Sequence, residues 1–246
     1  SGDVESKEQV VVDFSKGKKQ VKALIDDHNT GFDHKLWILT KFSNCTYELV
    51  DERYQIATPY FNANLPKDAV CIIESDDDIN NINKAMSDYV SAAMGYDVNC
   101  LNNFTPLIRQ TTDIDTVVAM FKYSHGLPNS TSYGCNNILH GHLSYVQITA
   151  MHRAFTDQER GVIELFTQSI NNKMYVDMRN IISESDTELE IGYTTPSRGL
   201  FNLKIKKDKL GVEVYKVSTD TTVENLAEIF WKHFESFPNV TQSLKN

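Results

Sequence analysis

Tyr123-Ser-His125-Gly-Leu-Pro128, followed by Cys135-Asn-Asn-Ile-Leu-His140-Gly-His142-Leu-Ser-Tyr-Val-Gln-Ile148, is the stretch from which the rest of the chain is read. It holds three of the seven histidines and one of the four cysteines. Leu143, Tyr145, Val146 and Ile148 form a run of β-favouring residues after Gly141, so a strand is expected there. Alternation along a strand sends residues i and i+2 to one face, which sets His140 and His142 side by side. His125 comes far enough before them for a loop to return to a neighbouring strand. Three imidazoles with no fourth protein ligand in the pattern point to a zinc site with an open position, the catalytic arrangement. Cys135, shortly before His140, would sit at its rim. The plain alternative is two polar residues on a surface strand with a core histidine nearby; the third histidine and the cysteine tell against it.

The 246 residues are enough for one large domain or two ordinary modules. A hydrophobic fraction of 41% with 23% charged residues is that of a folded protein. No apolar run is long enough to span a bilayer, and the opening Ser-Gly-Asp-Val-Glu-Ser-Lys is not a signal peptide. Cys45, Cys71, Cys100 and Cys135 are scattered without close spacing, so a reducing, cytoplasmic setting is expected. A net charge of −9 without a basic, aromatic-laced stripe gives no support for nucleic-acid binding. An anionic small molecule would have to be held by local cations or backbone donors.

Along the chain, residues 9–14 read as a strand and Lys18 to Asp27 as a helix with Val21, Leu24 and Ile25 as its apolar stripe. Asp33-His34 follows in a turn; a carboxylate beside an imidazole sets its tautomer and raises its basicity, although adjacent loop residues often do neither. Residues 51–68, with Pro59 and Pro66, read as loop, and Val70 to Ile73 as a short strand. Asp76 to Asp78 open a helix over Ile79 to Met94. Phe104 to Gln110 and Thr116 to Tyr123 read as strands, and Asp157 to Ile170 as a helix. Residues 183–208 read as polar and irregular apart from a strand at Leu200 to Ile205. Val212 to Val217 is another strand, and Thr221 or Thr222 caps a helix from Val223 to Phe234. Val70 to Ile82 matches Val214 to Leu226 in register, with aspartate and asparagine shared. Val12-Asp13-Phe14 resembles Val176-Asp177-Met178, and Thr58-Pro59 resembles Thr195-Pro196. These matches point to an internal duplication, divided near residue 120.

Taken together, these pieces resemble the 6-pyruvoyltetrahydropterin and 6-carboxytetrahydropterin synthase family in its long, two-module form. The resemblance rests on His125, Cys135 and His140-Gly141-His142, on Val12-Asp13-Phe14, on Asp33-His34, and on Thr221-Thr222-Val-Glu224-Asn225. It touches most of the chain, and His-Gly-His with the distal histidine and the cysteine is its most specific part. It implies an α+β fold of two tandem tunnelling-fold (T-fold) modules, residues 1–120 and 121–246, each an antiparallel sheet backed by helices and assembled into a homo-oligomer. It implies zinc bound by His125, His140 and His142, proton transfer by Cys135 and by His34 oriented by Asp33, and pterin contacts from Thr221, Thr222 and Glu224. The substrate implied is 7,8-dihydroneopterin triphosphate. The favoured product is 6-carboxytetrahydropterin, with acetaldehyde, en route to 7-deazaguanines such as queuosine; the pyruvoyl product is the alternative. The family builds its site across subunits, so a duplicated chain could divide the labour, Asp33-His34 in one half and the metal set in the other, in one composite site formed within the chain or with a second copy.

Three departures stand out. The chain reads as clipped at both ends, and one residue more than expected separates the threonines from Glu224. Where the family carries its pterin-anchoring glutamate, the first half has Arg109-Gln110-Thr111. Gln110 favours a rival reading, a non-catalytic, zinc-stabilised oligomeric binding module. A zinc hydrolase on the same histidines would need a glutamate base close to the metal, and none lies near His140 in sequence.

Overall fold

The computed structural model describes residues 14–42, 44–101, 114–131, 134–138, 140–150 and 152–240. The fold is mixed α+β, with four helices among the described residues. The first half runs α1 (Phe14–Ile25), β1 (Leu36–Leu39), β2 (Thr46–Val50), β3 (Arg53–Ala57), β4 (Phe61–Pro66), β5 (Val70–Ile73) and α2 (Ile79–Met94). The second begins with a long hairpin, β6 (Asp115–His125) and β7 (His140–Ala150). It continues α3 (Asp157–Ile170), β8 (Lys173–Asp177), β9 (Ile181–Glu184), β10 (Glu188–Thr195), β11 (Gly199–Lys206), β12 (Glu213–Val217) and α4 (Val223–Ser236). Residue 120 therefore lies inside β6.

From α1 to α2 and from α3 to α4 the order of elements is the same. In each half the strand after the first helix pairs in parallel with the strand before the second: β1 with β5 and β8 with β12. The three strands between them form antiparallel meanders, and the two meanders join through β4 and β11 into one sheet of order β2-β3-β4-β11-β10-β9. That order reads alike from either end. Asn64 and Asn202, which occupy corresponding positions, are paired with each other across the junction, so an approximate two-fold axis runs between them.

The match of Val70 to Ile82 with Val214 to Leu226 corresponds to equivalent places: Asp78 caps α2 by accepting from Asn80 N, and Thr222 caps α4 by accepting from Asn225 N. Thr58-Pro59 and Thr195-Pro196 both fall at the turn that returns into the central strand pair. The likeness of Val12-Asp13-Phe14 to Val176-Asp177-Met178 can be followed only at Phe14, which does not occupy the place of Met178. Phe14 opens a helix, Val176-Asp177 closes β8, and Val12 and Asp13 lie outside the described residues, as do Phe104 to Gln110.

Two readings of the chain need correction. Residues 51–68 contain β3 and β4, and residues 183–208 contain the end of β9 and all of β10 besides β11, which covers the strand expected at Leu200 to Ile205. Pro66 is the last residue of β4, opposite Arg53 at the start of β3, where a missing N–H costs little. In the second segment, Leu189 and Ile191 of β10 and Phe201, Leu203 and Ile205 of β11 are buried at alternate positions.

These side chains join Ile56, Ala63 and Leu65 of the first half with Ile38, Val70, Met174 and Val176 of the parallel pairs in one core shared by both halves. A second core lies beneath α3 and α4, where Ile163, Phe166, Leu226 and Phe234 meet Phe121, Tyr123, Tyr175 and Val217. β8 serves both, with Met174 and Val176 in the first and Tyr175 in the second, as strand alternation requires. No described helix is long and apolar enough to cross a membrane.

Candidate functional site

The β6–β7 hairpin sets the site. His125 pairs directly with His140, and Tyr123 with His142, at the loop end of the hairpin ladder. Residues opposite one another, and residues two apart, share a face, so the three imidazoles gather on one side. Ring centroids are 4.5 Å apart for His125 and His140, and 5.0 Å for each of the other two pairs. His142 Nε2 lies 3.1 Å from His125 Nε2, close to the ~3.3 Å that two nitrogens would show on one tetrahedral zinc ion.

A fourth imidazole comes from the first half. His34, in the turn before β1, has its ring centroid 5.1 Å from His140 and 5.5 Å from His142. His34, His140 and His142 each bring a ring nitrogen within 4.8 Å of the others, a set that could hold a metal ion. His34 has φ 54°, in the left-handed region that histidine enters more readily than most residues. Its turn also fits closely against Gly134: a Cβ there would come within 2.6 Å of the His34 Cβ and Cγ.

The partners of the rings set their tautomers. His125 Nδ1 is 2.6 Å from the Thr221 carbonyl and His140 Nδ1 is 2.8 Å from the Asn137 carbonyl. A carbonyl only accepts, so both Nδ1 atoms carry the proton and both Nε2 atoms carry a lone pair. His34 Nδ1 lies 2.6 Å from Asp33 Oδ2, which leaves its Nε2 as the free nitrogen in the same way. His140 Nε2 is buried and has no hydrogen-bond partner among the described residues. Leaving such an atom bare costs about 1–3 kcal/mol, and a cation on its lone pair removes that cost. The donor set therefore fits a metal: neutral imidazoles, Nδ1 atoms anchored outward, and one orphaned lone pair facing inward.

Electrostatics keep the rings neutral. Burial pushes His125 down to about 4, helped by His142 and His34 and opposed by the Thr221 bond. Burial pushes His140 down to about 3, with His125 adding to it and the Asn137 bond opposing. His142 is also lowered, by burial and then by His34, against the pull of Asp33.

The sequence-selected residues thus divide. Asp33, His34, His125, His140 and His142 come together. Cys135 is half-buried in the segment between the two hairpin strands, next to Gly134, and its carbonyl accepts from Leu127 N. Thr221, 1% exposed, is engaged in holding His125, and its hydroxyl donates to the Gly126 carbonyl. Thr222 is the cap of α4, and Glu224 is exposed in that helix's first turn. Gln110 lies outside the described residues.

Sequence reading missed three participants: the Asn137 carbonyl, the bare wall of Gly134, and an ion pair behind them formed by the buried Arg198 and the part-exposed Asp68. The Asn136-Asn137 doublet in the cysteine loop was the only available signal. Backbone carbonyls leave no mark on a sequence. No protein-family model, curated protein or solved structure matches this chain.

Proposed function

We propose that this chain is a zinc-dependent lyase of the 6-carboxytetrahydropterin synthase kind, built of two T-fold modules that meet ahead of β6. Its substrate is 7,8-dihydroneopterin triphosphate and its product 6-carboxytetrahydropterin, with the pyruvoyl product as the alternative. The observation that carries the reading is the meeting of Asp33-His34, from one half, with His125, His140 and His142, from the other. A duplicated enzyme that divides its labour needs such a meeting, within the chain or with a second copy, and here the two sets stand together in one chain. Cytoplasmic location is part of the same reading, in keeping with four unpaired cysteines. So is assembly with further copies, at the sheet edges that β2, β9, β12 and β7 leave open among the described residues.

A zinc ion on His125, His140 and His142 would supply Lewis acidity toward the substrate's side-chain hydroxyls. The chain's own groups do the rest. His34 takes up a proton at Nε2 while Asp33 holds its Nδ1–H and stabilises the imidazolium. Cys135 exchanges a proton at Sγ from the loop that faces His34. The Thr221 and Asn137 carbonyls keep His125 and His140 in the tautomer that presents Nε2.

One observation favours a second reading. His34 is itself within ligand reach, and four imidazoles would close a tetrahedral site, the arrangement of structural rather than catalytic zinc. Purified protein loaded with zinc and incubated with 7,8-dihydroneopterin triphosphate tests both. Release of triphosphate and acetaldehyde is the expected result; triphosphate without acetaldehyde marks the pyruvoyl activity. Stoichiometric zinc without turnover marks the closed structural site and overturns the enzyme.

A further inference from the structure

We propose that Arg198 and Asp68, an ion pair joining the two halves, are positioning residues that fix His140 relative to His34 by clamping the segment Gly134–Ile138. The proposal rests on the metal reading of the site and not on turnover.

Arg198 stands in the turn between β10 and β11, and Asp68 follows β4 of the other half. The Arg198 side chain is 5% exposed, so its charge must be met by partners in place of water. Nε donates to both Asp68 oxygens at 3.1 and 3.2 Å, and Nη2 donates to Oδ1 at 2.8 Å. Nη1 donates to the side-chain oxygens of Asn136 and Asn137, each at 2.6 Å. The guanidinium carbon lies 5.0 Å from the ring centre of Phe201, itself 0% exposed. A rigid planar fork can serve an acid on one side and two carboxamides on the other; a lysine ammonium has neither the reach nor the geometry.

Asn137 passes the constraint on in two directions. Its carbonyl accepts from His140 Nδ1, and its side-chain nitrogen donates to the His34 carbonyl. Asn136 is held as well, its carbonyl accepting from the Tyr193 hydroxyl at 2.6 Å. The two imidazoles from different halves therefore hang on one residue, and that residue hangs on Arg198. The opposite end of the central strand pair supplies the contrast. There Lys206 Nζ donates to the Thr58 carbonyl at 3.1 Å, joining the halves with no contact to the histidines. Glue between halves needs no more than that; Arg198 adds Nη1, which donates to Asn136 and to Asn137, the residue bonded to both His34 and His140.

The test uses the full chain and cobalt(II), whose ligand-field spectrum reports the geometry of its ligands without turnover. Asp68→Asn and Arg198→Lys are each expected to weaken cobalt affinity, measured by chelator competition, by roughly 10- to 100-fold and to shift the ligand-field bands. Lys206→Met, which cuts the other bridge, is expected to leave affinity and bands unchanged even where it lowers Tm. If Arg198→Lys does not fold, Asp68→Asn decides alone, its carboxylate being 27% exposed and the replacement nearly isosteric. Variants with wild-type affinity and bands overturn this proposal alone. Wild-type protein that binds no cobalt overturns both this proposal and the metal reading beneath it.

Discussion

The same hexapeptide geometry occurs once in each half and is put to opposite uses. Aligned on the parallel strand pairs, Asp33-His34-Lys-Leu-Trp-Ile38 corresponds to Asn171-Asn172-Lys-Met-Tyr-Val176. The second residue is left-handed in both, φ 54° at His34 and 55° at Asn172. In the second half the turn is a brace: Asn172 N donates to the Lys122 carbonyl at 2.7 Å, and Asn171 Oδ1 accepts from Lys122 N at 2.8 Å, tying the turn to β6. In the first half the corresponding side chains form the acid–imidazole couple, and the imidazole faces His140 and His142. A backbone that puts a side chain into a left-handed turn serves asparagine well. Where histidine stands instead, the conformation is spent on aim.

Exchanging the roles is the sharpest way to break this comparison. On the proposed function, His34→Asn, which makes the site turn resemble the brace, is expected to lower turnover of 7,8-dihydroneopterin triphosphate by about 10²- to 10⁴-fold, the usual contribution of a positioned acid–base group. Steady-state rates on zinc-loaded protein measure it.

Acid should destabilise the metal-free protein through the buried imidazoles of the site. His125 and His140 have folded values of about 4 and about 3 against 6.5 when unfolded. The unfolded chain therefore takes up more protons as pH falls, and stability is complete above pH 6.5 and lost progressively toward pH 4. At pH 5 the loss approaches roughly 2 kcal/mol for each ring. Denaturant midpoints from pH 7.5 to 4.5 should show the decline, and His140→Leu should flatten it.

Cutting the core the halves share treats them alike. Leu203→Ala, at a 0% exposed position, should cost about 3 kcal/mol and lower one common transition followed by far-UV and near-UV signals together. Two separate transitions would show that the halves are energetically independent. The smallest effect is expected at the brace: Asn172→Ala should cost about 1 kcal/mol, through a poorer left-handed residue, with turnover per folded molecule unchanged.

Much of the site could be read from the sequence because its signals are local. His-x-His on a strand needs only a period of two, and the caps at Asp78 and Thr222 need only the polar residue before an apolar stripe. The match between Val70 to Ile82 and Val214 to Leu226 was legible because no insertion interrupts it. The correspondence of His34 with Asn172 was not, since the spacing between the parallel strands differs in the two halves and no constant offset carries one match into the other. β9 and β10 were hidden by charge: Glu188 and Glu190 alternate with buried Leu189 and Ile191, and Gly192 with the threonines after it interrupts the pattern. The Arg198–Asp68 pair, 130 residues apart, exists only once the chain has closed on itself.

The axis between Asn64 and Asn202 has one more consequence. In an ordinary dimer every substitution is made twice, so a residue that helps at one end of the particle must be endured at the other. A chain that carries its own counterpart is free of that rule. It can keep an aspartate and a histidine where chemistry wants them and settle for two asparagines where only rigidity is asked, which no pair of identical subunits can do.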